Sequence, residues 1–386
     1  MKTFDYTKLN DETEAAVSSD SPANSEEFNR TYREWRSNEN NPFTFKGKRS
    51  RKLHTYVDGI GLQEKTAEKH ERYALRNMCI LLMSVVFVCE LAENVLILPV
   101  IVLLKTLGVD ISYSFHDSTA YGNQYAVLSV FVIEGILKLL LPAFLAWRML
   151  KMPVKAACPL KAGRPWATFS ALSTSCLGFA LMSFIRILLP SNIFYANNMN
   201  MTYNISQYMN TGCKTLFILF EVIAVPVMVE LLFHGAVFQA MRQFGVSFAV
   251  FITALMNTAV MHNPFSAGLV FITSVIAGYG VWQSGSIVTG ILVHIKARFL
   301  SYLLFWSMDL PSVSGISAEF IFEAIVLAVG LLGCLLLSGS KNSLYTMKDY
   351  ETFIPIKEKV RYSLIESPLI AVWILYIVLV CVEVFV

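Results

Sequence analysis

Beyond Met78 the chain runs in long stretches of Leu, Ile, Val, Phe and Ala separated by shorter polar breaks. Several stretches exceed the roughly 18 residues that suggest a helix spanning a bilayer. They predict spans near residues 77–105, 125–149, 166–189, 214–241, 246–262, 265–283, 286–306, 319–338 and 366–386. The runs 246–262 and 265–283 are the weakest candidates, and merging or dropping one leaves eight spans in place of nine. Residues 1–76 are polar, which predicts a disordered tail, with 64–76 able to form a short helix leading into the first span. The expected architecture is all-α, a polytopic helical membrane protein of eight or nine spans. It divides into the tail (1–76), N-terminal spans (77–213), a central block (214–306) and C-terminal spans (307–386).

Composition agrees with this pattern. The 386 residues are 55% hydrophobic and 15% charged, with a mean hydropathy of +0.54, whereas soluble domains are roughly a quarter charged. The net charge of +3 matters less than where the cations lie. Loops 148–165 and 339–365 each carry five Lys or Arg, and loops 106–124, 190–213 and 307–318 carry none. Nine spans with the first residues inside put every basic loop on the cytoplasmic side. The expected location is the plasma membrane of a bacterium, multi-pass, N-terminus cytoplasmic, with the lipid bilayer as first partner and no nucleic acid. No signal peptide is visible in the polar first 75 residues. The basic run 46–52, KGKRSRK, reads as a topogenic patch, with anionic headgroups as its alternative contact. Seven cysteines show no paired or metal-like spacing, so a disulfide framework is not expected. Two Asn-x-Ser/Thr sequons, at Asn200 and Asn204, fall in an outer loop.

Ionisable residues inside lipid are costly and mark working sites by default. Glu134 and Lys138 form a favourable i,i+4 pair, and Glu90 and Glu93 could meet Arg186 across an interface; both read as structural. A second group is different. Residues 222–242, VIAVPVMVELLFHGAVFQAMR, carry Glu230 and, four residues on, His234, on one helix face. His262 and His294 follow in later spans. Counting from the inner ends of their spans at 1.5 Å per residue puts Glu230, His262 and His294 about 18, 24 and 12 Å deep. All three levels fall within a core about 30 Å thick. A carboxylate with two imidazoles can activate water as a general base with an oxyanion donor, or as a metal site. Each residue alone is as readily an interhelical hydrogen bond.

At these positions the sequence resembles the CPBP (Abi) family of intramembrane proteases, which includes type II CAAX prenyl endopeptidases and bacteriocin-processing or immunity homologues. The family's EELLFRG motif stands here as VELLFHG over residues 229–235. Its Phe-x-x-x-His is TAVMH over 258–262, and its His-x-x-x-Asn/Asp is HIKAR over 294–298. The resemblance covers roughly 214–305. It implies catalytic roles for Glu230, His262 and His294, the same three as candidate ligands if a metal such as Zn²⁺ is used, and a prenylated or membrane-proximal peptide as substrate. Four positions depart from it: Val229 replaces the Glu taken as base, His234 the Arg, Thr258 the Phe, and Arg298 the Asn or Asp. Valine cannot take a proton, so the family mechanism does not carry over unchanged; His234 and Arg298 read as site-modifying residues, and Arg298, one turn beyond His294, could pair with Glu230. Three readings stay open. They are an intramembrane endopeptidase homologue with a degenerate site, a non-catalytic scaffold or regulator binding a membrane partner, and, ranked last, a small-solute transporter.

Overall fold

The computed structural model describes residues 26–38, 41–44, 56–57, 61–62, 66–114, 119–161, 163–185, 206, 209–260, 264–312, 316–337 and 352–365, with 370, 374, 377 and 378. Its described elements are helices, apart from two small antiparallel hairpins, β1 (Tyr56–Val57) with β2 (Gly61–Leu62) and β3 (Ile111–Ser114) with β4 (Thr119–Gly122). The helices are α1 (Glu26–Arg36), α2 (Thr66–Thr106), α3 (Gln124–Met149), α4 (Val154–Ala157), α5 (Pro165–Ile185), α6 (Thr211–Phe244), α7 (Val246–Ala259), α8 (Pro264–Ser284), α9 (Ile287–Met308), α10 (Ala318–Leu337) and α11 (Ile356–Ile365). Seven described helical stretches are long and apolar enough to cross a membrane, and α7 is a shorter apolar helix. The chain is therefore a multi-pass helical membrane protein. Eight expected spans correspond to described helices, whereas most of 366–386 lies outside the described residues.

Two proline positions shape the long helices. A proline inside a helix removes one N–H bond and its ring strikes the carbonyl four residues back. In α3 the π-helical stretch Ile136–Leu140 directly precedes Pro142, and in α6 the stretch Phe220–Ala224 directly precedes Pro226. The wider turn relieves the clash without ending the helix. A third π-helical stretch, Leu231–Val237 in α6, contains His234 and precedes no proline. The helix then tightens over Arg242–Phe244 and turns into α7 at Gly245. Gly245 has φ 117°, a backbone region that strains any L side chain.

α8 packs against α5, α7 and α9; α9 also contacts α5 and α6; α10 covers α5. The principal core gathers Phe233, Phe238, Phe244 and Phe248 with Val229 and Leu232.

The start of the chain departs from expectation. Residues 26–36, read as part of a disordered tail, form α1, whose Phe28, Tyr32 and Trp35 are buried. Residues 66–76, within the stretch expected to form a helix leading into the first span, are continuous with that span. Glu71 on α2 is fully buried, accepts from the Ile354 N–H at 3.1 Å and from the Thr352 hydroxyl, and stands 3.7 Å from Lys359. Lys359 donates to the Phe244 carbonyl, so one buried set ties α2, α6 and α11 together.

Candidate functional site

α6 and α9 run antiparallel past each other, and their contact line carries the ionisable residues. Glu230 and His234 are wholly buried and His294 is 7% exposed. His234 Nδ1 lies 2.9 Å from Glu230 Oε1, and its Nε2 lies 3.3 Å from the Ser274 carbonyl oxygen on α8. That carbonyl can only accept, so Nε2 carries a proton. Nδ1 then either donates to a carboxylate or accepts from the carboxylic acid. Both arrangements share one proton across the pair, and its net charge is zero. This neutrality is how a carboxylate withstands complete burial.

His294 approaches from α9, its Nε2 3.3 Å from the same Glu230 oxygen but out of line for a hydrogen bond. Glu230 Oε2 and His294 Nε2 are thus buried polar atoms without a hydrogen-bond partner among the described residues. The approach is possible because residue 290 is glycine. A Cβ there would lie 2.6 Å from Glu230 Cδ and 2.9 Å from Oε1, closer than real contacts allow. Ser274 extends the cluster further, its hydroxyl accepting from Asn257 Nδ2 on α7 at 2.6 Å. Four helices therefore meet in one chain of polar groups, from His294 through Glu230 and His234 to Ser274 and Asn257.

Asn257 and Ser274 had no place in the motif reading, since uncharged polar residues barely disturb an apolar run. Both are buried. Replacing Asn257 with Ala is expected to cost about 1–2 kcal/mol, the net value of a buried hydrogen bond and the partner it leaves unpaired. Thermal unfolding in detergent measures it.

Of the motif residues, Glu230, His234 and His294 come together. His262 lies outside the described residues, as do the side chains of Glu90 and Glu93 and all of Arg186. Arg298 corrects an expectation: its Nη1 stands 3.7 Å from Glu221 Oε2, so the ion pair foreseen with Glu230 is formed with Glu221. The reason is register. Glu230 lies against Gly290, two helical turns before Arg298, and the antiparallel α6 presents Glu221 at the level of Arg298. Val229, at the family's base position, packs into the apolar core and is 5% exposed.

Residues 211–300, from the start of α6 to the middle of α9, match the family model described as type II CAAX prenyl endopeptidase Rce1-like. The match spans 90 of the chain's 386 residues and shows a similarity to that family over this stretch. No curated protein matches it, and no solved structure does. The family match covers the helices that build the polar cluster and leaves out α1 to α5, α10 and α11.

The ligand atoms of Glu230, His234 and His294 all lie within 4.8 Å of one another. A two-His, one-carboxylate set is one that catalytic zinc uses, and a carbonyl on the second nitrogen of a ligating His is the usual outer support. The residues present fit a Zn²⁺ ion.

Proposed function

We propose that this Rce1-like membrane protein keeps the family's chamber as a structural core and acts by binding a membrane partner, without hydrolysing peptides. The observation that carries the reading is the engagement of Glu230. Its carboxylate shares a proton with His234 and is packed against Gly290, while position 229 holds a buried valine. A general base must reach the water that it deprotonates and release its proton afterwards. Glu230 is held instead in a neutral pair on its own helix. The lipid bilayer surrounds the chain, and the proposed site is the plasma membrane of a bacterium with the basic end of the bundle cytoplasmic, as the asymmetry of Lys and Arg among the loops supports.

The test is genetic. In cells where loss of the chain has a measurable phenotype, Glu230→Ala, His262→Ala and His294→Ala are introduced one at a time and protein levels are followed. A scaffold keeps its phenotype wherever the protein accumulates. Loss of phenotype in all three variants at normal abundance overturns the reading.

A second reading, a peptidase acting on a prenylated or membrane-proximal peptide, is favoured by the two unpartnered atoms, Glu230 Oε2 and His294 Nε2. In it Glu230 takes a proton from water and His294 faces the developing oxyanion. In the alternative with a metal, Glu230, His234 and His294 would instead be the ligands, and Zn²⁺ when bound would supply Lewis acidity and a more acidic water. Val229→Glu separates the readings. A buried carboxylate among apolar side chains is expected to destabilise the protein without creating turnover, as read by detergent thermal unfolding beside a peptidase assay.

A further inference from the structure

We propose that α1 is a lid, docked on the basic end of the bundle, that holds the loop over residues 154–159 against the helices of the Glu230–His234–His294 cluster and closes the route to that cluster at that end.

The docking is built from both sides. α1 presents Phe28, Tyr32 and Trp35 at spacings of four and three, one face of a helix. Their counterpart is Arg242, at the end of α6, which is 1% exposed. Its guanidinium carbon lies 5.4 Å from the Phe28 ring centroid, 4.8 Å from that of Tyr32 and 5.0 Å from that of Trp282 on α8. A cation among aromatic faces out of water is a stronger contact than one on a surface. The lid also supplies donors to backbone carbonyls near the C-terminal ends of α3 and α6. Tyr32 Oη donates to the Gln239 carbonyl at 2.9 Å. Trp35 Nε1 and Asn41 Nδ2 donate to the Leu150 carbonyl at 2.9 and 3.0 Å. Few of these contacts would be expected of a segment resting on the bundle without a fixed place.

The second half of the argument is what lies beneath. Glu27 on α1 pairs with Lys155 on α4 at 2.9 Å, and Lys155 holds the Glu27 carboxyl below its ordinary range. α4 leads into Cys158, whose Sγ is 3.3 Å from where a Cβ on Gly235 would sit, next to His234. The Pro159 carbonyl accepts from Ile287 N, at the start of α9, at 3.0 Å. One short loop therefore touches α6 and α9, two of the four helices that carry the polar cluster, and α1 lies against that loop. Undocking α1 frees the loop to leave Gly235 and Ile287, and the route it opens leads to His234.

Cys158 is a native reporter. It is 8% exposed, and burial pushes its thiol up to about 12, so in the closed state it reacts slowly. Thiol access is read whether or not the chamber hydrolyses peptide, so the lid and the functional reading fail separately. The full chain in native membranes is treated with a maleimide and labelling at each cysteine is followed by mass spectrometry. In the wild type Cys158 reacts far more slowly than in the SDS-denatured chain. Phe28→Ala with Tyr32→Ala is expected to speed it about tenfold by populating an open state, while Glu26→Gln, on the exposed side of α1, leaves the rate unchanged. Cys213, buried in the first turn of α6, serves as the folding control. If the double variant exposes Cys213 too, Tyr32→Phe with Trp35→Phe replaces it, since that pair keeps the rings and loses the two donors. Faster Cys158 labelling with Cys213 protected supports the lid. An unchanged Cys158 rate with Cys213 protected, or wild-type labelling at the denatured rate, overturns it.

Discussion

Glu230→Ala is expected to lower the stability of the purified protein by about 3–5 kcal/mol, the cost of removing one partner from a buried ionic pair. His234 would then keep its bond to the Ser274 carbonyl and lose the carboxylate that shares its other nitrogen's proton. His234→Leu should cost a similar amount, because it leaves Glu230 to be buried alone. The two losses should not add. Replacing both, Glu230→Leu with His234→Phe, removes the need for charge compensation altogether, and apolar replacements of a buried pair are often neutral. Recovery of most of the lost stability in the double variant, measured by thermal or denaturant unfolding in one detergent, is the expected outcome. Strictly additive losses would mean that the two side chains do not form a unit.

Gly290→Ala should have the second large effect. The added methyl would meet the Glu230 carboxylate carbon at 2.6 Å, and neither helix can retreat easily, since α9 is also held against α5 and α8. Overpacking of this kind costs about 1–3 kcal/mol. The diagnostic comparison is the same substitution made in Glu230→Ala. There the atoms that the methyl strikes are gone, and the substitution is expected to be nearly free. If alanine costs as much without Glu230 as with it, the close approach of α9 to the carboxylate is not what residue 290 provides.

Much of this cluster was visible in the sequence. Glu230, His234 and His294 stand out because an ionisable group in an apolar run has no bland alternative as cheap as solvent. A four-residue step and a count along the spans were enough to bring their levels together. Pairing was harder. Which carboxylate Arg298 meets depends on the register of α9 against α6, and a difference of about two and a half turns exchanges Glu230 for Glu221. Asn257 and Ser274 were hidden by their neutrality. The lid was hidden by composition: Glu26, Glu27, Arg30, Arg33, Glu34 and Arg36 make α1 read as solvated, although Phe28, Tyr32 and Trp35 trace one face within it. Pro142 and Pro226 each sit just past a π-helical stretch. The π-helical stretch at Leu231–Val237 had no such marker.

The central claim is that the family-like helical core persists with valine at the base position and that Glu230 does not take over as the base. The most direct measurement is hydrolysis of a farnesylated C-terminal peptide by the purified full chain in lipid, with zinc added and with zinc chelated. The account predicts no release of product above that of Glu230→Ala under either condition. Turnover by the wild type that Glu230→Ala abolishes, with the variant still folded, would contradict it.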